Sequence, residues 1–315
     1  MIMQRLRITP GTAIGLTRMV FGGVCLTNAL FHFNPAYQST FLASLAAAWA
    51  PGQPGWLVSW GHINAVGVSA LGAELVVNAM AALELVLALS LLTGVWLHRL
   101  AWVGIAYNLW LWSTVGGLGG PYTSGATDPG TTIVYALAFA LVLLTHAWRP
   151  LRLFHGGPTQ EPDRWKLRLG EIAFALLWAF DAYWKWQPEF LLNGVNNLTA
   201  AQAGQPAWIV AYIGVFIRVI DLVGPVIFGV TVALAESAIA LALLMGVALQ
   251  WILPLGAVYS FVLWTTGEGW GGPYAAGITG NKGDVLGTGI IYVLLFLMLM
   301  TARAERAARK RALTR

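Results

Sequence analysis

Two glutamates inside hydrophobic segments point most directly to chemistry in this sequence. Glu84 and Glu236 each interrupt a run of apolar residues, in Leu-Glu-Leu and Ala-Glu-Ser contexts. A carboxyl group at membrane depth is costly to ionise, so it tends to hold its proton and is a candidate for proton transfer. We predict that both glutamates exchange protons with a membrane quinone. A hydrogen bond to a neighbouring helix is the structural alternative.

Polar residues also follow one stripe of the first hydrophobic segment. Arg18, Cys25 and His32 recur at intervals of seven with Asn28 between them, so a helix places all four on one face. Cys25 is a candidate nucleophile for sulfur transfer, because a thiolate beside a cation is reactive. Inert packing in an apolar helix is the alternative for this cysteine. Arg18 and Asn28 are predicted to bind substrate.

A matching stripe lies in the second half of the chain. Asp181 aligns with Asn28 and Lys185 aligns with His32, each pair being 153 positions apart. We predict an outward-facing pocket in which His32 and Lys185 hold an anion or supply protons, with Asp181 as a further catalytic residue. The alternative is that both basic side chains extend to the membrane interface.

Two glycine-rich loops form a third group of candidates, Gly119-Gly120-Pro121-Tyr122 and Gly271-Gly272-Pro273-Tyr274. Glycine lets backbone amides converge on an anion, and a tyrosine hydroxyl adds a donor. A tight turn flanked by interfacial aromatic residues explains the same residue types structurally. The substrate-binding residues predicted in and before these loops are Gly120, Tyr122, Gly272, Tyr274, Trp112 and Trp264.

The cysteine and histidine content limits the cofactors. A single cysteine excludes internal disulfides, CxxC redox pairs, c-type haem attachment and cysteine-ligated metal clusters. No two histidines share a hydrophobic segment at ligand spacing, so we expect neither haem nor a bound metal. The histidines are His32, His62, His98, His146 and His155.

The chain contains an internal repeat. Gly52-Gln53-Pro54-Gly55-Trp56 is matched 152 positions later by Gly204-Gln205-Pro206-Ala207-Trp208. Other matches at this offset are Glu84 with Glu236, Tyr107 with Tyr259, Trp112 with Trp264, and the two Gly-Gly-Pro-Tyr loops. The two copies differ where chemistry would occur, with Trp178 matching Cys25, Glu268 matching Gly116 and Trp270 matching Leu118. A single active site would therefore divide its roles between the copies.

The composition is that of a membrane protein. Of the 315 residues, 58% are hydrophobic and 10% are charged, which is too apolar for an ordinary water-soluble domain. A membrane helix takes about 20 apolar residues. The eight predicted spans lie near residues 12–31, 67–93, 97–115, 131–147, 168–186, 222–248, 250–266 and 286–301.

Basic residues mark the ends of these spans and set the topology. They lie before the first span, in the turn at His98 and Arg99, in the central linker and after the last span. This distribution follows the positive-inside rule and predicts an even number of crossings per copy, with both termini cytoplasmic. We therefore expect a multi-pass protein of the inner (plasma) membrane that contacts lipid and has no nucleic-acid partner.

The predicted fold class is all-α, with eight transmembrane helices arranged as two parallel-repeat four-helix bundles. Segments 56–66 and 208–217 are predicted to be interfacial helices, each with proline near its first turn and tryptophan at headgroup depth. The predicted units are a first repeat over 1–148, a cytoplasmic linker over 149–166, a second repeat over 167–302 and a basic tail over 303–315.

The four-span unit, with an arginine in its first helix and a Gly-Gly-Pro-Tyr loop, resembles the DoxX/DoxD superfamily. The segment 119–130 carries most of the likeness, and two such units cover nearly the whole chain. The resemblance is closest to DoxD, the membrane subunit of thiosulfate:quinone oxidoreductase. It implies oxidation of thiosulfate to tetrathionate at the outer face, electron transfer to quinone, and a DoxA-like subunit or a respiratory complex as partner.

The leading interpretation is a membrane oxidoreductase, or its membrane subunit, that oxidises thiosulfate or a related sulfur compound and reduces quinone. Its rival is a non-catalytic scaffold subunit of a respiratory complex. A permease for small solutes or metals ranks last, because no continuous set of polar residues crosses any four of the predicted spans.

Overall fold

The structure is a computed structural model of the chain. It describes residues 10–35, 37, 41, 43, 45, 53–120, 129–148, 163–274 and 286–313. The regular secondary structure of these residues is helical, and no strand occurs among them. The prediction of an all-α chain is confirmed for this part of the molecule.

The long helices coincide with the hydrophobic runs, and left-handed glycines separate some of them. Gly94, at φ 82°, ends one helix of the first half, and Gly246, at φ 72°, ends its counterpart in the second half. A residue with a side chain is disfavoured in this conformation, so glycine provides the stop. The helices of the first half are α1 (Pro10–His32), α2 (Gly55–Leu71), α3 (Ala73–Thr93), α4 (Leu97–Ser113) and α5 (Thr131–Leu144).

The second half contains corresponding long helices and two short ones between α6 and α9. Proline occupies the first turn of α7 and of α10, where its missing N–H costs no hydrogen bond. The helices are α6 (Arg164–Lys185), α7 (Pro188–Asn193), α8 (Val195–Ala201), α9 (Ala207–Val223), α10 (Pro225–Met245), α11 (Leu249–Thr266) and α12 (Gly289–Leu313).

Four of the described helices are long and apolar enough to cross a membrane. They are Thr12–His32 of α1 and the whole of α3, α10 and α11, while α5 is apolar but shorter. Large apolar side chains point outward, including Leu71 at 68% exposure and Leu222 at 87%. Such an apolar surface is unfavourable in water and suits a lipid environment. The chain has the characteristics of a membrane protein.

Two helix boundaries fall at glycines inside the predicted hydrophobic runs. The span expected over 67–93 begins at Ala73, since Gly72 at φ 91° ends α2. Gly224 at φ 101° separates α9 from α10 in the same way. The predicted interfacial segments are full helices of 17 residues.

Two helices extend into the segments predicted as linker and tail. Helix α6 begins at Arg164, inside the predicted linker, while residues 149–162 lie outside the described part. The predicted tail continues α12 as far as Leu313.

Helix packing follows a matching pattern in the two halves. Helix α1 packs on α3 and α4 packs on α5, while α6 packs on α10 and α11 packs on α12. The halves meet through α1 with α12, α5 with α6, and α5 with α12. At the start of α5 and α12, the hydroxyl oxygens of Thr131 and Thr288 lie 2.6 Å apart. One hydrophobic core includes residues from both halves.

Helices α4 and α5 approach closely at a glycine. A Cβ atom at Gly104 would lie 2.7 Å from Cδ1 of Phe139, which is too near for van der Waals contact. A Cβ atom at Gly256 would meet the ring of Phe296 between α11 and α12. Glycine therefore permits the same close helix contact in both halves.

Candidate functional site

A cavity of about 220 Å³ lies between α1, α3, α4 and α5 in the first half. Its wall combines apolar rings with buried polar groups, which is the usual make-up of a small-molecule site. The predicted residues that line it are Cys25, Asn28, His32 and Glu84. It is completed by Tyr37, Phe41, Leu87, Tyr107, Asn108, Leu111, Val115, Gly116, Thr131, Thr132, Tyr135 and Phe139.

The polar centre of this cavity is a cluster of three side chains, which we call the His32–Glu84–Tyr107 cluster. Nδ1 of His32 lies 2.5 Å from Oε2 of Glu84, and the hydroxyl of Tyr107 donates to Oε1 of the same carboxyl at 2.5 Å. The His32 ring stacks on Tyr37 with centroids 4.0 Å apart. Both carboxyl oxygens therefore have a partner that can carry a proton, from helices α1 and α4.

Sequence reasoning missed Tyr107 as a member of the site. The available signal was its repeat: Tyr107 and Tyr259 each stand 23 positions after a glutamate in a hydrophobic helix and donate a hydrogen bond to it. A recurring tyrosine at fixed spacing from a membrane carboxyl suggests a partner for that carboxyl.

Asn28 and Cys25 lie on the same side of the cavity as His32. The side-chain amide of Asn28 donates to the Tyr135 hydroxyl at 2.8 Å. Cys25 is buried at 7% exposure and lines the cavity as a free thiol. The predicted stripe on α1 thus faces the cavity from Cys25 to His32.

In the second half, a lysine takes the place of the histidine. Nζ of Lys185 lies 3.9 Å from Oε2 of Glu236, and the Tyr259 hydroxyl donates to Oε1 at 2.9 Å. Asp181 accepts a hydrogen bond from Tyr292 at 2.8 Å, as Asn28 contacts Tyr135 in the first half.

The structure does not bring His32 and Lys185 into one pocket. Each basic group pairs with the glutamate of its own half, Glu84 or Glu236. His32 lines the first-half cavity, and Lys185 is not among the residues that line it.

Trp178 fills the part of the second half that corresponds to the cavity wall at Cys25. It is 2% exposed, and its ring centroid lies 5.8 Å from that of Tyr259 and 5.1 Å from that of Tyr292. Tyr259 and Tyr292 correspond in the sequence to Tyr107 and Tyr135, which line the first-half cavity.

Arg18 has a different role from the predicted one. Its guanidinium is buried at 1% exposure and donates to the Ala147 carbonyl at 3.1 Å and the Leu92 carbonyl at 3.5 Å. These carbonyls lie at the C-terminal ends of helices, where a cation offsets the helix dipole. Arg18 is not among the described residues that line the cavity.

An arginine has the same role in the second half. Arg168 donates to the carbonyls of Leu243 and Leu244 at the end of α10, and Leu244 matches Leu92 in the repeat. The residue that matches Arg18 is Glu171, which pairs with Arg168 at 3.2 Å and with Arg303 at 2.5 Å.

The glycine-rich loops adopt a tight left-handed turn. Gly117, Leu118 and Gly119 have φ values of 51°, 55° and 84°, and Gly269, Trp270 and Gly271 have nearly the same values. The amides of Gly119 and Gly120 donate to carbonyls within this turn, at Gly116 and Gly117. Those of Gly271 and Gly272 do likewise. The predicted convergence of these amides on an anion is not seen, because the turn uses them.

Glutamines hold both loops in place. Gln53 donates to the Gly117 carbonyl at 3.1 Å and Gln205 donates to the Gly269 carbonyl at 3.0 Å. A side chain at Gly120 would collide with Gln53, and one at Gly272 would collide with Gln205. The repeated Gly-Gln-Pro block therefore positions the repeated glycine turn.

The predicted tryptophans and Tyr274 also hold the loops. The indole nitrogens of Trp112 and Trp264 donate to the Pro129 and Leu286 carbonyls at 2.7 and 2.6 Å. The Tyr274 hydroxyl donates to the Trp270 carbonyl at 2.5 Å, and partial burial raises the pKa of Tyr274, so the phenol stays protonated. Tyr122 lies outside the described residues.

Glu268 closes the start of α12. Its carboxyl oxygens accept from the Gly289 amide at 2.9 and 3.0 Å. A carboxylate here satisfies a free N–H group of the first helical turn.

No family model, no curated protein and no solved structure matches this chain. Among the described residues, no group of three or more histidine, cysteine, aspartate or glutamate side chains is placed to hold a metal ion. The chemistry available in the first-half cavity is hydrogen bonding and proton exchange at the His32–Glu84–Tyr107 cluster.

Proposed function

We propose that this protein is a membrane oxidoreductase, or its membrane subunit, that reduces quinone in the first-half cavity with electrons from thiosulfate or a related sulfur compound. The observation that carries this proposal is the position of the His32–Glu84–Tyr107 cluster in the wall of an apolar cavity. Quinone reduction takes up protons as well as electrons, and the cluster offers a short chain of groups that exchange them.

The charge of the cavity favours a neutral ligand. Among its lining residues, His32 is the basic group and Glu84 is the carboxylic acid, and they are bonded to each other. No lysine or arginine is among those lining residues. A dianion such as thiosulfate would be buried there without a compensating cation, which costs several kcal/mol. A quinone is uncharged and has a ring that suits the aromatic wall.

The overall reaction consists of an oxidation and a reduction that balance each other. Two thiosulfate anions each lose one electron and join through a new sulfur–sulfur bond to give tetrathionate. The quinone takes those two electrons and two protons to give the quinol. Glu84 and its partners supply protons to the quinone oxygen and are reprotonated from water. We propose that thiosulfate is oxidised at the outer face, away from this cavity, with a DoxA-like subunit or a respiratory complex as partner.

The architecture that we propose is eight transmembrane helices in two four-helix repeats of the same orientation, in the plasma membrane, with both termini cytoplasmic. Matched contacts support the repeat: the tyrosine–glutamate, glutamine–glycine and tryptophan–carbonyl hydrogen bonds each occur once in each half. Basic residues near the proposed cytoplasmic ends support the orientation.

The test begins with protein purified from native membranes together with its bound subunits. Organic extraction is expected to release a quinone, and thiosulfate is expected to reduce added quinone in the presence of the purified complex. Absence of both bound quinone and thiosulfate-dependent reduction would overturn the proposal. Stable co-purification with larger redox proteins under those conditions would favour the non-catalytic scaffold instead.

A further inference from the structure

Two residues keep the first-half cavity open, and larger side chains stand at the matching positions of the second half. Cys25 and Gly116 line the cavity. Trp178 matches Cys25 and Glu268 matches Gly116 in the repeat. Both larger side chains are engaged: Trp178 packs against Tyr259 and Tyr292, and Glu268 bonds to the first turn of α12.

These second-half side chains indicate what the first half accommodates. Trp178 places a flat ring beside tyrosines whose counterparts line the cavity. Glu268 places acceptor oxygens on the Gly289 amide, whose counterpart is the amide of Thr132, another residue of the cavity wall. The N-cap of α5 is Gly130, which has no side chain to cap that first turn.

We propose that the protein binds one quinone per chain, in the first half only, and that Cys25 and Gly116 are the residues that determine this selectivity. The ring occupies the space beside Cys25, as Trp178 does in the second half. One quinone oxygen accepts a hydrogen bond from the first turn of α5, beside Gly116, and the ring extends towards the His32–Glu84–Tyr107 cluster. This inference rests on the proposed function and adds the ligand's orientation and number.

The physical basis is that side chains of the protein already fill the matching space in the second half. A ligand that entered there would have to displace a buried tryptophan and a carboxylate that bonds a helix end, and it would gain no contact beyond those already made. In the first half, the matching positions carry a thiol and a hydrogen atom. The ligand supplies a ring where the second half has Trp178, and an acceptor for the Thr132 amide where the second half has Glu268 on the Gly289 amide.

The experiment is a calorimetric titration of the full-length protein in lipid nanodiscs with a short-chain quinone, ubiquinone-1, and its naphthoquinone counterpart, menaquinone-1. We expect one quinone of either type per wild-type chain. The variants Gly116→Glu and Cys25→Trp place the second-half side chains at the matching positions of the first half. We expect each variant to weaken quinone binding at least tenfold.

Control variants with a smaller side chain separate the effect of the added carboxylate or indole ring from the effect of crowding at the same position. A Cβ atom at residue 116 lies 3.1 Å from backbone atoms of Trp112, so Gly116→Ala carries the same crowding without the carboxylate. We expect Gly116→Ala and Cys25→Ala to weaken binding less than Gly116→Glu and Cys25→Trp do. Glu268→Ala is expected to retain binding, because that site lies in the other half.

The outcomes distinguish the two proposals. No binding of either quinone to the wild-type chain would overturn the proposed function. Wild-type binding that persists in Gly116→Glu and Cys25→Trp, or that is lost in Glu268→Ala, would overturn only the assignment to the first half. Two quinones per wild-type chain would do the same.

Discussion

Replacing Glu84 by glutamine keeps the shape of the side chain and removes its ability to carry a proton. The carboxyl accepts from Tyr107 at 2.5 Å and pairs with His32 at 2.5 Å. The amide oxygen of glutamine still accepts from the tyrosine hydroxyl, and its NH2 group can donate to a neutral histidine ring. The fold is therefore expected to survive, while proton exchange with the quinone is lost.

The magnitude follows from these two contacts. A hydrogen bond to a charged group contributes about 1.5–3 kcal/mol and a neutral one about 0.5–1.5 kcal/mol. Exchanging one for the other at two contacts therefore costs roughly 2–3 kcal/mol of stability in total. Loss of a general acid or base lowers the rate of the chemical step by about 10²–10⁴-fold. We expect Glu84→Gln to lower the turnover number by that factor.

Glu236→Gln is the matched control because Glu236 has the same tyrosine contact, from Tyr259 at 2.9 Å, in a part of the chain that Trp178 fills. The assay compares quinone reduction and thermal unfolding of both variants with the wild-type protein. Glu236→Gln is expected to lose stability but to keep its turnover. Equal losses of turnover in both variants would refute a single catalytic half and favour two equivalent sites.

Three further perturbations test other parts of the structure. Tyr107→Phe removes one hydrogen-bond donor to Glu84. We expect the rate of quinone reduction, measured by stopped flow, to fall about tenfold or more. An unchanged rate would show that Tyr107 takes no part in proton transfer. Arg18→Met removes two charge-assisted hydrogen bonds, each worth about 1.5–3 kcal/mol. We expect a lower melting temperature and an unchanged quinone affinity. A loss of affinity without a loss of stability would instead support the predicted role of Arg18 in binding. Gly120→Ala forces a collision with Gln53 and should destabilise the loop by about 1–3 kcal/mol, measured by chemical unfolding. The double variant Gly120→Ala/Gln53→Ala should lose less stability than the sum of the two single variants. Losses of stability that add up in the double variant would contradict the contact.

Local sequence patterns predicted the helices well because hydrophobic length and glycine or proline stops act over a few residues. Helices α1, α4 and α11 lie close to their predicted spans. Two apolar runs continue through a helix break, at Gly72 and at Gly224. Left-handed glycines end these helices without interrupting the hydrophobicity, so the run alone did not reveal the boundary.

Part of the candidate site was also predictable. Cys25, Asn28 and His32 recur at helical spacing, and the structure places all three on the cavity wall with Glu84. The role of Arg18 was not predictable from the same stripe, because a cation at a helix end and a cation in a pocket have the same local sequence. Its partners, at Leu92 and Ala147, are distant in the chain.

The sequence by itself determined the apolar character of the helices, the polar groups that enter them and the correspondence between the two halves. These properties depend on composition and spacing. Only the tertiary structure decided that Glu84 joins His32 to Tyr107, that Lys185 pairs with Glu236, and that a cavity lies beside Cys25. Such contacts depend on how each helix is rotated and how closely it approaches its neighbours, and packing across the whole chain sets both.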